Sequence, residues 1–124
     1  MTDPAESTPS ADPWHPYAEG RTIGERGSEE GVILRDEEHS EGARITLERD
    51  ARRIPFAITC GLYGWLVHTC YFGTSQAAEQ AFEEMKLALD QLVNMVPYKT
   101  DSEIEAKLAR LYEAMPAFVD RFNT

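Results

Sequence analysis

The sequence predicts an α+β fold in two layers, an antiparallel β-meander of four or five strands packed on a C-terminal αα-hairpin. Three observations predict it. Residues 43–49, ARITLER, alternate apolar and polar, the mark of a half-buried strand. Residues 54–72, IPFAITCGLYGWLVHTCYF, run nineteen residues without an acid, a lysine or an arginine and carry two glycines at their centre. From residue 75 the apolar positions change to spacings of four and three, the period of a helix face.

Residues 1–18 are rich in Pro, Ser, Thr, Asp and Ala. They carry too little apolar area to offset the entropy of ordering, so a flexible tail is expected, followed by a single domain over 19–124. Within the tail, DPWHPY supplies Trp14 and Tyr17, both large enough to dock elsewhere. A first, short strand is placed at about 20–25 and a firmer one at about 31–36, around VILR. DEEHSEG then reads as a charged loop closed by Gly42. The third strand is 43–49, and DARR turns the chain.

The opening of 54–72 resembles a membrane span in length, with Arg52 and Arg53 as its flank. Pro55, Gly61, Gly64, Thr59, His68 and Thr69 argue against that. Two strands, about 54–60 and 65–72, joined by a turn at 61–64, fit better. Ala78, Phe82, Met85, Leu89, Leu92 and Val96 then mark one face of a helix over about 75–96, capped by Thr74 or Ser75. Ile104, Leu108, Leu111, Met115, Phe118 and Phe122 mark a second over about 101–122. TDSE at 100–103 reads as its capping box, and Pro116 as the site of a kink.

Centring the turn at 61–64 sets Cys60 opposite Trp65 and Ile58 opposite Val67. One face then carries Phe56, Ile58, Cys60, Trp65, Val67 and Tyr71, joined by Ile45 and Leu47, and the helices should cover it. Leu66, His68, Cys70 and Phe72 fall on the other face, beside polar Arg44, Thr46 and Glu48. An exposed apolar quartet of that kind marks an interface. Leu66, His68, Cys70, Phe72, Trp14 and Tyr17 are therefore the candidate interface residues. The two cysteines are expected on opposite faces, with no disulfide between them.

The chain carries 22 acids against 12 bases, a net charge of −10. That disfavours nucleic acid and anionic membrane and favours a basic partner. Two cysteines and the absence of an apolar leader suggest free thiols and a cytoplasmic location. Asp36, Glu37, Glu38, His39 and Glu41 could be drawn as a metal cluster, but lack EF-hand and HExxH spacing and read as a solvated loop. Arg44, Arg49, Arg52 and Arg53 are expected to pair with nearby acids. No phosphate loop, GxSxG or CxxC is present. No catalytic residue, metal or cofactor is assigned. The expected function is a non-enzymatic interaction module that binds itself as a homodimer, or another protein, through an apolar sheet face and acidic helices. The alternative is a small enzyme or ligand-binding protein with a pocket near His68 and Cys70.

Overall fold

The computed structural model describes residues 12–123. Its elements are β1 (Trp14–Pro16), β2 (Val32–His39), β3 (Ala43–Ala51), β4 (Ile54–Leu62), β5 (Leu66–Phe72), α1 (Ser75–Val93) and α2 (Ile104–Arg121). The strands form one antiparallel sheet in chain order. Both helices lie on one face, the helix face, and the other is the open face. This is the expected two-layer α+β architecture.

The core fills the space between the helix face and α1. Ile45 and Leu47 of β3, Ile58 and Cys60 of β4, and Phe82, Met85 and Leu89 of α1 are all fully or almost fully buried. α2 closes the β5 side with Leu111, Phe118 and Phe122. The Thr74 hydroxyl accepts the Ala77 N–H at 3.2 Å and caps α1. The capping box at 100–103 does not form: Glu103 makes no side-chain cap bond. Asp101 instead accepts the Tyr98 N–H at 2.7 Å and pairs with Lys107 at 3.1 Å. α2 continues through Pro116 to Arg121.

Three expectations are corrected. First, the edge strand is not 20–25 but Trp14–Pro16, which pairs with β2 through Trp14 and His39. Part of the segment expected as a tail thus belongs to the sheet, and residues 1–11 of that segment lie outside the described residues. Residues 24–33 instead fold back on themselves. Gly24 N–H donates to Ile33 O at 2.8 Å and Ile33 N–H to Glu25 O at 2.9 Å. Second, β2 does not stop at 36. It runs to His39, because its charged side chains find partners on both faces.

Third, the hairpin register is different. Leu62 pairs with Leu66, Cys60 with His68, Ile58 with Cys70 and Phe56 with Phe72. The turn is only Tyr63, Gly64 and Trp65, closed by Trp65 N–H donating to Leu62 O at 2.8 Å. It needs one left-handed residue, Gly64 at φ +84. Gly61 stays in the strand. The slip from the expected register is an odd number of residues, so it reverses every side chain of β5. Leu66, His68, Cys70 and Phe72 lie under the helices, while Val67 is 79% exposed. β3 and β4 pair Leu47 with Ile58, which keeps Ile45 and Leu47 on the same face as Ile58 and Cys60.

Cys60 and Cys70 consequently share the helix face, and both are buried as thiols. Burial, and secondarily the Cys70 thiol, push the Cys60 pKa up to about 12. In the native chain at pH 8 both thiols should resist 5,5′-dithiobis(2-nitrobenzoate) until the protein unfolds, whereas Val67→Cys should react at once. Rapid labelling of Cys70 with a protected Val67→Cys would restore the opposite register. A thiol whose folded pKa is raised costs nothing while it is neutral in both states. Stability should therefore fall as pH rises from about 9 toward about 12, read as a dropping denaturation midpoint and lessened by Cys60→Ala.

Candidate functional site

The quartet proposed from sequence as an interface is used by the chain itself. Cys70 is fully buried, its Sγ 3.7 Å from Met85 Sδ. The His68 ring stacks edge-on against Phe118 at 6.2 Å, with Nε2 3.0 Å from Phe122 O. Leu66 and Phe72 pack against the core cluster. No pocket opens beside His68 and Cys70 in the large groove described below, which neither residue lines. Trp14 sits on the helix face, its indole perpendicular to the His39 ring at 5.0 Å. Only Tyr17 reaches the open face, where Arg44 lies over its ring at 3.5 Å.

Two polar assemblies flank β2. On the helix face, Arg35 bonds Glu37, Glu79 and Glu83 at 2.9, 2.8 and 2.7 Å and lies 4.1 Å over the Phe82 ring. Burial opposes the guanidinium charge, but those three carboxylates outweigh it and raise the pKa. His39, 3% exposed, accepts the Glu41 N–H on Nδ1 at 3.0 Å. Its proton is therefore on Nε2, 2.7 Å from Asp90 Oδ1. Both ring nitrogens are engaged, so this His–Asp pair fastens β2 to α1 and offers no free base.

On the open face, Asp36 is 2% exposed. Its carboxylate accepts from Arg44 Nε at 2.9 Å, Arg44 Nη2 at 2.7 Å, the Thr22 hydroxyl at 2.8 Å and the Thr46 hydroxyl at 3.4 Å. The bond to Asp36 raises the Arg44 pKa against its partial burial. Glu48, fully buried, accepts the Gly31 N–H at 2.8 Å and the Glu29 N–H at 3.2 Å. A Cβ on Gly27 would lie 2.4 Å from that carboxylate, and one on Gly31 would lie 2.5 Å from Arg49 O. The glycines of this segment therefore let the backbone press onto the sheet. Asp36 and Glu48 hold residues 22–31 as a strap across the open face.

Two tyrosines tie the strap and β2 to the far strands. Tyr71 donates to Glu29 at 3.1 Å, and that bond raises its pKa. Tyr63 donates to Glu38 at 2.6 Å, and burial together with that carboxylate raises its pKa. Between the strap and the β4–β5 hairpin lies a groove of about 740 Å³. Thr46, Thr59, Gly61 and Val67 line it from the sheet, Arg26 and Gly27 from the strap. Thr59 and Thr69 hydroxyls meet across the hairpin at 3.2 Å.

Among the described residues, no group of three or more His, Cys, Asp or Glu is placed to hold a metal ion, and no helix is long and apolar enough to cross a membrane. Of the other arginines, Arg49 pairs with Asp50 and Arg52 with Glu30. Comparison with protein-family models, curated proteins and solved structures found no match to this chain.

Sequence reasoning missed Asp36 and Glu48 as buried anchors. Their signal was Asp36 and Glu48 lying beside Arg44 and Thr46 in alternating strands, a pattern equally suited to a solvated face. Asp36→Ala should cost about 3 kcal/mol, the lower end for breaking a buried pair because Arg44 is partly exposed. Glu48→Gln should cost about 1–2 kcal/mol and speed amide exchange at Glu29 and Gly31. Urea denaturation and hydrogen exchange check both; unchanged exchange in Glu48→Gln would refute the strap's anchoring.

Proposed function

We propose that this chain is a non-enzymatic interaction module that associates with a second copy of itself through the edge of β5. The observation that carries the reading is the contrast between the two sheet edges. β1 is three residues long and is bounded by Pro13 and Pro16, both of which lack a backbone donor. Short length and prolines are how sheets protect an edge. β5 runs seven residues, LVHTCYF, with no acid, lysine, arginine or proline and no break in register with β4. Among the described residues no further strand lies beyond it in the sheet order.

The strand is also complementary to itself. An antiparallel copy centred on Thr69 sets Val67 against Tyr71, Leu66 against Phe72 and His68 against Cys70. Val67 and Tyr71 are exposed, so this pairing covers apolar area as well as adding backbone hydrogen bonds. Like charges never oppose one another in it. The interface is thus the edge of the strand first assigned to it, not the face that carries Leu66, His68, Cys70 and Phe72.

Light scattering behind a sizing column should return twice the 14.0 kDa chain mass. Thr69→Lys places two ammonium groups opposite each other and should give the single-chain mass with an unchanged circular dichroism spectrum. A native chain that elutes as a monomer at every concentration, or a Thr69→Lys variant that remains a dimer, would refute the proposal.

A further inference from the structure

The open-face groove has a floor that its own fold does not require. Gly61 is the middle residue of the row Arg44, Gly61, Val67 across β3, β4 and β5. Its φ is not in the left-handed region, and a Cβ there would meet nothing closer than Leu66 O at 3.4 Å, an ordinary contact. Gly27 and Gly31, by contrast, have no room for a side chain. A glycine inside a strand is destabilising relative to alanine, and here neither conformation nor crowding explains it. What the missing side chain does is keep the groove deep.

The groove also holds one donor fixed in place. Asp36 takes Arg44 through Nε and Nη2, and Tyr17 stacks on the guanidinium. Nη1 is left without an acceptor among the described residues, and Arg44 lines the groove. A hydrogen-bond donor immobilised in this way suits an acceptor oxygen. Its charge is already matched by the Asp36 carboxylate, 2.7 Å away. Arg26 and Glu25 add one charge of each sign to the lining, so a ligand carboxylate would bring a negative charge in excess of the positive ones, and desolvating that excess is unfavourable. Ile33 and Val67 supply apolar walls and Tyr63 an aromatic one, and the volume of about 740 Å³ is that of a small-molecule site.

We infer that this groove binds a neutral, largely apolar small molecule whose carbonyl oxygen is held by Arg44 and whose body lies over Gly61. The site shares Val67 with the β5 edge, but its test reads ligand binding and not oligomeric state.

The probe is 6-propionyl-2-dimethylaminonaphthalene, a neutral naphthyl ketone whose emission shifts to the blue in apolar surroundings. Titration into the full chain should give saturable binding with blue-shifted emission. Gly61→Val fills the floor and should weaken that binding by about tenfold or more, with an unchanged circular dichroism spectrum and an equal or higher melting temperature. If the valine variant fails to fold, Gly61→Ala, which the backbone accommodates, should still weaken it several-fold. 1-Anilinonaphthalene-8-sulfonate, of comparable apolar bulk but fully charged, should bind about tenfold more weakly than the ketone. Absence of saturable binding would overturn the inference. So would a folded Gly61 variant that binds the ketone as the native chain does, or an anionic dye that binds as tightly as the neutral one.

Discussion

One helical layer covers one face of a sheet, and among the described residues there are five strands and two α-helices to place on them. The other face must be finished without a second layer. Asp36 makes that possible. Its carboxylate, almost wholly removed from solvent, gathers Arg44, Thr46 and Thr22 at once. A buried carboxylate is tolerable only when its acceptor capacity is filled, and the groups that fill it come from β3 and from the strap. Satisfying one charge thereby fixes where the 22–31 segment crosses the sheet. Glu48 repeats the device one row along, with backbone amides of Glu29 and Gly31 in place of the arginine.

This solution leaves β4 and β5 differently treated from β2 and β3. The strap presses on β3, where Gly27 and Gly31 allow close approach, and meets β5 through the Tyr71–Glu29 bond. Beyond it the sheet is floored by Thr59 and Gly61 and ends in an uncharged strand. The groove and the edge are therefore two consequences of one arrangement. A covering segment anchored on the β2–β3 side runs out before the β5 side.

The layers, the strand and helix count, and both helical stripes were legible in the sequence because each rests on a single period within one element. Phe82, Met85 and Leu89 can only face a core, whatever the sheet does. The register of β5 was not legible, for a local reason. In LVHTCYF both parities carry apolar residues, Leu66, Cys70 and Phe72 on one and Val67 and Tyr71 on the other. Alternation cannot choose between them, so the turn decides, and Gly61 and Gly64 look alike in a sequence. Only Gly64 has a positive φ. Assigning both to the turn lengthened it and inverted the strand, which moved Leu66, His68, Cys70 and Phe72 to the wrong side and set the two cysteines apart. β2 failed in the opposite way. Glu37 and His39 read as solvated because their partners, Lys86 and Asp90, lie more than forty residues along the chain.

The same bookkeeping of partners explains where the net charge of −10 can act. Arg35 is spent on Glu37, Glu79 and Glu83 at the sheet–helix seam, and Arg44 on Asp36. What remains outward on α2 includes Glu103, Glu105, Glu113 and Asp120. The strand β5 and the groove floor beside it carry no charge of their own. Two copies of an acidic chain repel at long range, but screening confines that repulsion to about 8–10 Å at ordinary ionic strength. Contact through the β5 edge, as proposed, would keep the acidic helix surface out of the pairing ladder itself. An edge bearing lysines would attract the acidic surfaces of other copies and would pair in no fixed register. An edge with none would leave hydrogen bonding and a Val67–Tyr71 contact to set the alignment.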